Sequence, residues 1–581
     1  MSRVDEPWIC DRPASKRYPI YTRANIAEVF PGIVPPLSST NDTWRSAEMG
    51  WREGLVRFGA FDREEFAADR DEMTAIFGGY GYLNVSVSRV MGVRMPGSNP
   101  DLVDYSYFGE QPGIPPYRPQ PGDESPVHTR RMAETIAWVM STDDVPDVDD
   151  YRATAARLRA ERPNLSAMSN AELAEHAFGV HETYTVDWLG THFFLIYCAS
   201  VPLGALQQTV TGIGRPDLLT PLISGIGGID SAAPSQAMWD LGRTVAASAE
   251  LTRQFDQGVA GLDARLRASD HPDAKRFVAD FDAFLYEYGS RAVNEWDLTT
   301  PTWETEPALA LASIGGMRLR GDGDSPKLKS RRLIGERNDA VEAVRAALAG
   351  DQEALGGFEA ALHAAHVFLP ARERSKTAIV RMIGEPKVAL HELASRFARD
   401  GHIDGTADLG MVTREEFPRF VADPAAFRDV IAERWKRVRE FERLVPPFVL
   451  VGDPPPPSTW ARRDDSAAEP AVAAPGETLS GASGCTGTAV GPARVILDPA
   501  EADELLPGEI LVAPATDPSW TPLFVSAAAV VVDVGAPLSH SAIVSRELGI
   551  PCVVSCTGAT DRIRTGTAIK VDGTAGTVTV M

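Results

Sequence analysis

Residues 535–551, Gly-Ala-Pro-Leu-Ser-His-Ser-Ala-Ile-Val-Ser-Arg-Glu-Leu-Gly-Ile-Pro, constrain this chain more tightly than any other stretch. The apolar, β-branched segment 527–534 runs into a turn marked by Gly535 and Pro537, and Ser539 stands where a helix cap belongs. Gly549 and Pro551 then stop a short helix. The pattern predicts a buried strand that delivers His540 to a helix N-terminus. Such an end offers unpaired backbone N–H groups and a partial positive charge, so an imidazole placed there suits the carriage of an anion such as a phosphoryl group. The plainer alternative is a histidine that only caps a turn in a β-rich domain.

With residues 481–495, 507–512 and 516–522 upstream, this run resembles the swivelling phosphohistidine domain of the phosphoenolpyruvate-utilising enzymes, whose members include pyruvate phosphate dikinase, phosphoenolpyruvate synthase and rifampicin phosphotransferase. Leu538 departs from the dikinase pattern, which has a regulatory threonine two residues before the histidine, and is closer to rifampicin phosphotransferase. The resemblance implies that His540 carries a phosphoryl group and that its domain moves between a charging and a discharging site.

At 581 residues the chain is long enough for several domains. A formal net charge of −23 argues against nucleic acid and against an anionic membrane surface as partners. A chain this acidic must gather its cations locally to handle phosphate. Cys10, Cys198, Cys485, Cys552 and Cys556 lack the spacing of a metal cluster or disulfide framework, and read as buried or free thiols of a cytoplasmic protein. The start of the chain has no apolar core of a signal peptide. The apolar stretch 189–206 contains His192 and Pro202, and reads as a buried core helix with a proline break rather than a membrane span.

The expected architecture is multidomain: a mainly helical acceptor-binding body over 1–451, a Pro- and Ala-rich linker over 452–478, and an α/β phosphohistidine domain over 479–581. Helical spacing of apolar residues recurs at 170–185, 232–255, 274–288, 342–369, 388–399 and 425–444, whereas short β-branched runs follow residue 478. The proline-rich segment has the reach of a tether that lets the last domain visit two sites; a passive spacer has the same composition.

A phosphohistidine enzyme needs a primary donor, yet neither a Gly-x-x-x-x-Gly-Lys-Ser/Thr loop nor the Gly-rich loop and carboxylates of an ATP-grasp domain is legible. The expectation is therefore a split phosphotransferase, whose ATP and Mg²⁺ sit on a separate ATP-grasp subunit. In the body, residues 21–37, 83–91, 288–304 and 371–376 resemble, in collinear order, the acceptor-binding domain of rifampicin phosphotransferase. That resemblance puts the acceptor-site Arg and Lys on Arg372 and Lys376, four apart and so on one helix face; an arginine fork and a lysine charge suit phosphoryl transfer. The same face could simply be solvated.

Arg291, Glu295 and Asp297 form a second cluster, in which a carboxylate could take the proton of an attacking hydroxyl while the arginine orients it; a structural ion pair would use the same residues. Arg23, Asn25 and Glu28 look placed to fix a loop. Trp188, His192, Phe193, Phe194 and Tyr197 could line an apolar acceptor pocket or be plain core. No histidine pair has the spacing of a metal motif, so no metal site is expected on this chain. Multi-chain systems such as phenylphosphate synthase and 4-methylphenylphosphate synthase make a phenol or related aromatic alcohol the first-choice hydroxyl acceptor and a rifamycin-type drug the second. A non-catalytic phosphocarrier is the alternative of a different class.

Overall fold

The computed structural model describes residues 13–40, 42–68, 70–108, 113–145, 147–227, 230, 233–292, 294–463, 471–497, 505–506, 508–516, 520–535 and 539–581. Cys10, the expected turn over 536–538 with Leu538, and residues 464–470 and 517–519 lie outside the described residues.

Two long helices, Asn170–Gly212 and Gln352–Arg399, pack along each other, and Asp42–Arg57 packs on the first. The first is launched by a capping box, in which Ser169 and Glu172 satisfy each other's backbone N–H groups. Sequence spacing alone predicts separate helices at 170–185, 342–369 and 388–399, with a break at Pro202. Instead the helices run straight through Pro202, Pro370 and Pro386, and the only interruption of the 342–369 pattern comes at Asp351, which caps the second long helix. A proline inside a helix costs about 3 kcal/mol, whereas one fully buried Leu, Ile or Phe contributes about 1.5–3 kcal/mol. With Leu189, Leu195, Leu206, Ala364, Phe368, Ile379 and Ile383 all sealed, packing wins over the local penalty. The 43-residue helix is long and apolar enough to cross a membrane by length and composition, but 67% of its most apolar window is buried against the rest of the protein.

The body also contains a four-stranded antiparallel sheet that the helical reading overlooks. Its order is β2 (Thr74–Phe77), β3 (Tyr80–Asn84), β1 (Ile20–Thr22), β4 (Val449–Val451), and it ties the two ends of the body together. β1 and β4, the two strands that make the tie, are three residues long, too short to display a period of two.

From Thr478 an eight-stranded sheet forms, in the order β5 (Thr478–Ser480), β12 (Thr577–Val580), β11 (Ala568–Asp572), β7 (Thr488–Val495), β8 (Ile510–Ala513), β9 (Ala529–Val532), β10 (Cys552–Val554), β6 (Ala482–Cys485). Strands β7 to β10 pair in parallel. Both faces are covered, which is why these strands read as unbroken apolar runs. Leu511, Val530, Val532 and Val554 share a cluster with the body, while Ile510, Val512, Val531 and Val553 pack with Ala559 and Ile563 on the other side.

The segment expected to be a bare linker is packed at both described ends. Trp460 buries its indole on Tyr80 and donates to the Pro455 carbonyl, and Ala473 is buried with its N–H on the Arg562 carbonyl. Lack of periodicity hid this, because an isolated tryptophan needs no helical or strand repeat to dock. Cys198, Cys485, Cys552 and Cys556 are buried free thiols, as expected.

The α/β domain is seated on the body. Trp520, Leu523 and Phe524 join Met238, Leu241, Leu311, Ile314 and Met317 in one apolar cluster, and Arg332 donates to the Gly549 carbonyl at 3.1 Å. Gly549 ends the histidine helix His540–Leu548 in the left-handed conformation (φ 62°), where a Cβ would also strike the Arg332 guanidinium.

Candidate functional site: a histidine facing a cationic patch across the domain boundary

β9 delivers the chain to the turn, and His540 opens the helix as expected. Ser539 occupies the cap position but its hydroxyl bonds Ser541 Oγ at 2.9 Å and makes no cap hydrogen bond to the helix backbone. The imidazole Nδ1 lies 3.2 Å from Thr516 Oγ1, and the ring meets Phe524 edge-on at 5.8 Å. Burial, then Lys376 and Arg291, hold its pKa well below the ordinary value. The ring is therefore neutral at physiological pH, with a lone pair able to attack phosphorus.

Those two cations belong to the body. Arg372 and Lys376 lie on one face of the 48-residue helix, and their side chains are largely covered. Arg291 donates to Glu295 Oε1 at 2.9 Å and to Thr377 Oγ1 at 3.2 Å, while Glu295 Oε2 lies 3.9 Å from Lys376 Nζ. Glu295 thus braces two cations at once. The loop that carries it is fixed by Lys387, which reaches the Asn294 carbonyl and Thr300 Oγ1, and by Glu304, bound to Arg159 and Arg162. Asn294 takes the left-handed backbone (φ 55°) needed for that turn.

Two residues given other roles from sequence, Glu28 as loop-fixing and His192 as pocket lining or core, enter the site. Glu28, on the one-turn helix Ile26–Val29, accepts a hydrogen bond from the backbone N–H of His540. Burial raises its pKa to about 8, against the pull of that N–H and of Lys376 and Arg372. His192 lies under the same Arg372 and Lys376, with Nδ1 2.9 Å from Ser375 Oγ. Arg23 has the loop-fixing role expected of it, donating to the carbonyls of Gly81, Phe30 and Pro31, while Asn25 stands at the N-cap position (φ 63°) without a side-chain cap hydrogen bond.

The comparisons with known proteins follow this geometry. Residues 505–576 match the model for the PEP-utilising enzyme mobile domain, and residues 192–373 match the rifampicin phosphotransferase fourth domain. Residues 505–576 are thus similar to the mobile domain of the PEP-utilising enzymes. It is 32% identical over 369 residues to the rifampicin phosphotransferase of Streptomyces sviceus, a match covering 58% of this chain and 41% of that protein. It is 33% identical over 318 residues to the prodigiosin synthesizing transferase PigC of Serratia marcescens, covering 53% of this chain and 34% of that one. An uncharacterised protein of Mycobacterium tuberculosis is 27% identical over 98% of this chain and 62% of its own length. The chain thus spans less than two thirds of each of these relatives.

The remaining expected site residues sit further from the histidine's chemistry. Asp297 spends Oδ1 on Ser38 at 2.6 Å and on the backbone and hydroxyl of Thr299, each at 2.8 Å, so it holds a turn. Trp188 stacks on Tyr151 at 4.7 Å inside the helical core. Phe193 stacks on Trp51 at 4.2 Å, and His192 lies 6.1 Å from Trp296; Trp51, Tyr107 and Trp296 are half-buried and pack against the cluster of Ile26, Phe30, Val34 and Trp44. Asp62, Glu65 and His128 form the one group of potential metal ligands among the described residues, and Arg131 and Arg94 already pair with its two carboxylates.

Proposed function

We propose that this chain is the phosphohistidine and acceptor-binding component of a split, ATP-dependent phosphotransferase. His540 receives a phosphoryl group from an ATP-grasp partner that holds ATP and Mg²⁺, and passes it to the hydroxyl of a phenol or related aromatic alcohol. The observation that supports this most is the facing of His540 by Lys376 and Arg291 from a different domain. A pure carrier has no use for such a patch on a large body.

Phosphoryl transfer proceeds through a transition state with little bonding to either side, so positioning and cations around the equatorial oxygens do most of the work. Lys376, Arg372 and Arg291 supply the cations, and Glu295 keeps them aligned. Thr516 Oγ1 lies 3.2 Å from Nδ1, which favours Nε2 as the ring atom that takes the phosphoryl group. The carboxylates here do not suit a divalent cation: Glu28 is committed to the His540 N–H and Glu295 to Arg291. ATP and Mg²⁺ would therefore act on the partner. The half-buried Trp51, Tyr107 and Trp296 favour a flat aromatic acceptor. The similarity to rifampicin phosphotransferase favours a second acceptor class, a rifamycin-type hydroxyl.

Phosphorylating His540 chemically with phosphoramidate tests the discharge step without the partner. Loss of the group from the His540 peptide on adding phenol, with appearance of phenyl phosphate, is the expected result. His540→Ala should abolish product and leave phenol binding unchanged. A charged chain that keeps its phosphoryl group in the presence of phenols and rifamycin alike would overturn this reading.

A further inference from the structure

The acceptor hydroxyl must lose a proton, and of the two candidate carboxylates Glu295 commits Oε1 to Arg291 and Asp297 commits Oδ1 to Ser38 and Thr299. His192 is 5% exposed, on the 43-residue helix. Its Nδ1 is 2.9 Å from Ser375 Oγ, which in turn lies 2.8 Å from the Arg372 carbonyl. A carbonyl oxygen only accepts, so the single hydroxyl proton of Ser375 points to Arg372. Ser375 must then accept from His192, which places the imidazole proton on Nδ1. The lone pair is on Nε2, and among the described residues no hydrogen-bond partner takes that atom. Lys376 lies near both His192 and His540, so the two rings border one cationic patch, with Trp296 and Phe193 beside His192.

We propose that His192 is the proton acceptor for the acceptor hydroxyl, with Ser375 as the positioning residue that fixes its tautomer. This rests on the transfer reading above and goes beyond it by naming the base. In the step, the acceptor oxygen forms a bond to phosphorus and the P–N bond to His540 breaks. Its electron pair returns to the His540 ring, while the hydroxyl proton passes to Nε2 of His192 and later to solvent. Burial, Arg372 and Lys376 hold the His192 pKa down to about 3, so the ring enters neutral. The negative charge of the arriving phosphoryl group offsets those two cations and raises its basicity. Proton removal is thereby tied to the presence of the group to be transferred.

The test uses the full chain charged at His540 with phosphoramidate and compares phenol with 4-nitrophenol, which is already ionised in mildly alkaline buffer and needs no base. His192→Gln should slow transfer to phenol by about a hundredfold or more and leave transfer to 4-nitrophenol close to wild type. Ser375→Ala should slow phenol by a smaller factor in the same selective way. Equal slowing of both acceptors in both variants would mean a structural role and overturn the proposal, as would an unchanged phenol rate. A wild-type chain that transfers to neither acceptor overturns the transfer reading itself, and the base with it.

Discussion

Docking of the mobile domain onto the body should take up a proton, and Glu28 provides the means to test it. Its carboxyl has an ordinary value of 4.5 and reaches about 8 when the histidine helix covers it. Glu547, on the histidine helix, is raised to about 7 by burial, with Glu373 of the body adding repulsion and Arg546 and Arg337 opposing it. A group whose pKa is raised in the docked form favours docking in full below its undocked value, and loses that contribution as pH rises through the docked value. The window here runs from 4.5 to about 8. Across it, uptake of one proton per docking event shifts the equilibrium by roughly tenfold per pH unit. The whole shift at Glu28 corresponds to about 5 kcal/mol, an upper bound because part of the burial comes from the body alone. Glu28→Gln keeps an oxygen for the His540 N–H and removes the titration. Energy transfer between a dye on the mobile domain and one on the body should report less docking at pH 9 than at pH 6 in the wild type, and a flatter profile in Glu28→Gln. A docked fraction that is constant or rises with pH in the wild type would refute the reasoning.

Lys376→Met should slow discharge of phosphorylated His540 by about 10²–10³-fold with little change in fold stability, measured in single turnovers. Arg372→Lys should also slow it, because a lysine cannot reproduce the planar two-pronged contact with phosphate. Trp460→Ala should destabilise the body by about 3–5 kcal/mol, read by thermal unfolding, since the indole is buried on Tyr80. Shortening the chain within 464–470 should slow one of the two half-reactions; unchanged rates in both would mean that the domain does not need to travel.

The phosphohistidine run was legible from sequence because its determinants are local. A buried strand, a glycine turn, a serine at the cap and a left-handed glycine lie within a few residues of His540, and each leaves a compositional mark. Arg372 and Lys376 were legible as a pair because helical spacing puts residues four apart on one face. Helix continuity was not, since the prolines at 202, 370 and 386 argue for breaks and only burial against neighbouring helices overrides them. The roles of Glu28 and His192 were hidden for a different reason. Each is an ordinary residue of its own segment, a carboxylate after a turn and a histidine on an apolar helix. Docking of a domain from the far end of the chain covers Glu28 with the His540 backbone and brings that histidine to the same Lys376 that His192 faces. Sequence by itself determined that a histidine opens this short helix after a buried strand, because that depends on backbone geometry over a single turn of chain. Tertiary structure alone decided what surrounds it, because burial, charge proximity and tautomer are properties of neighbours that the chain brings together only when it folds.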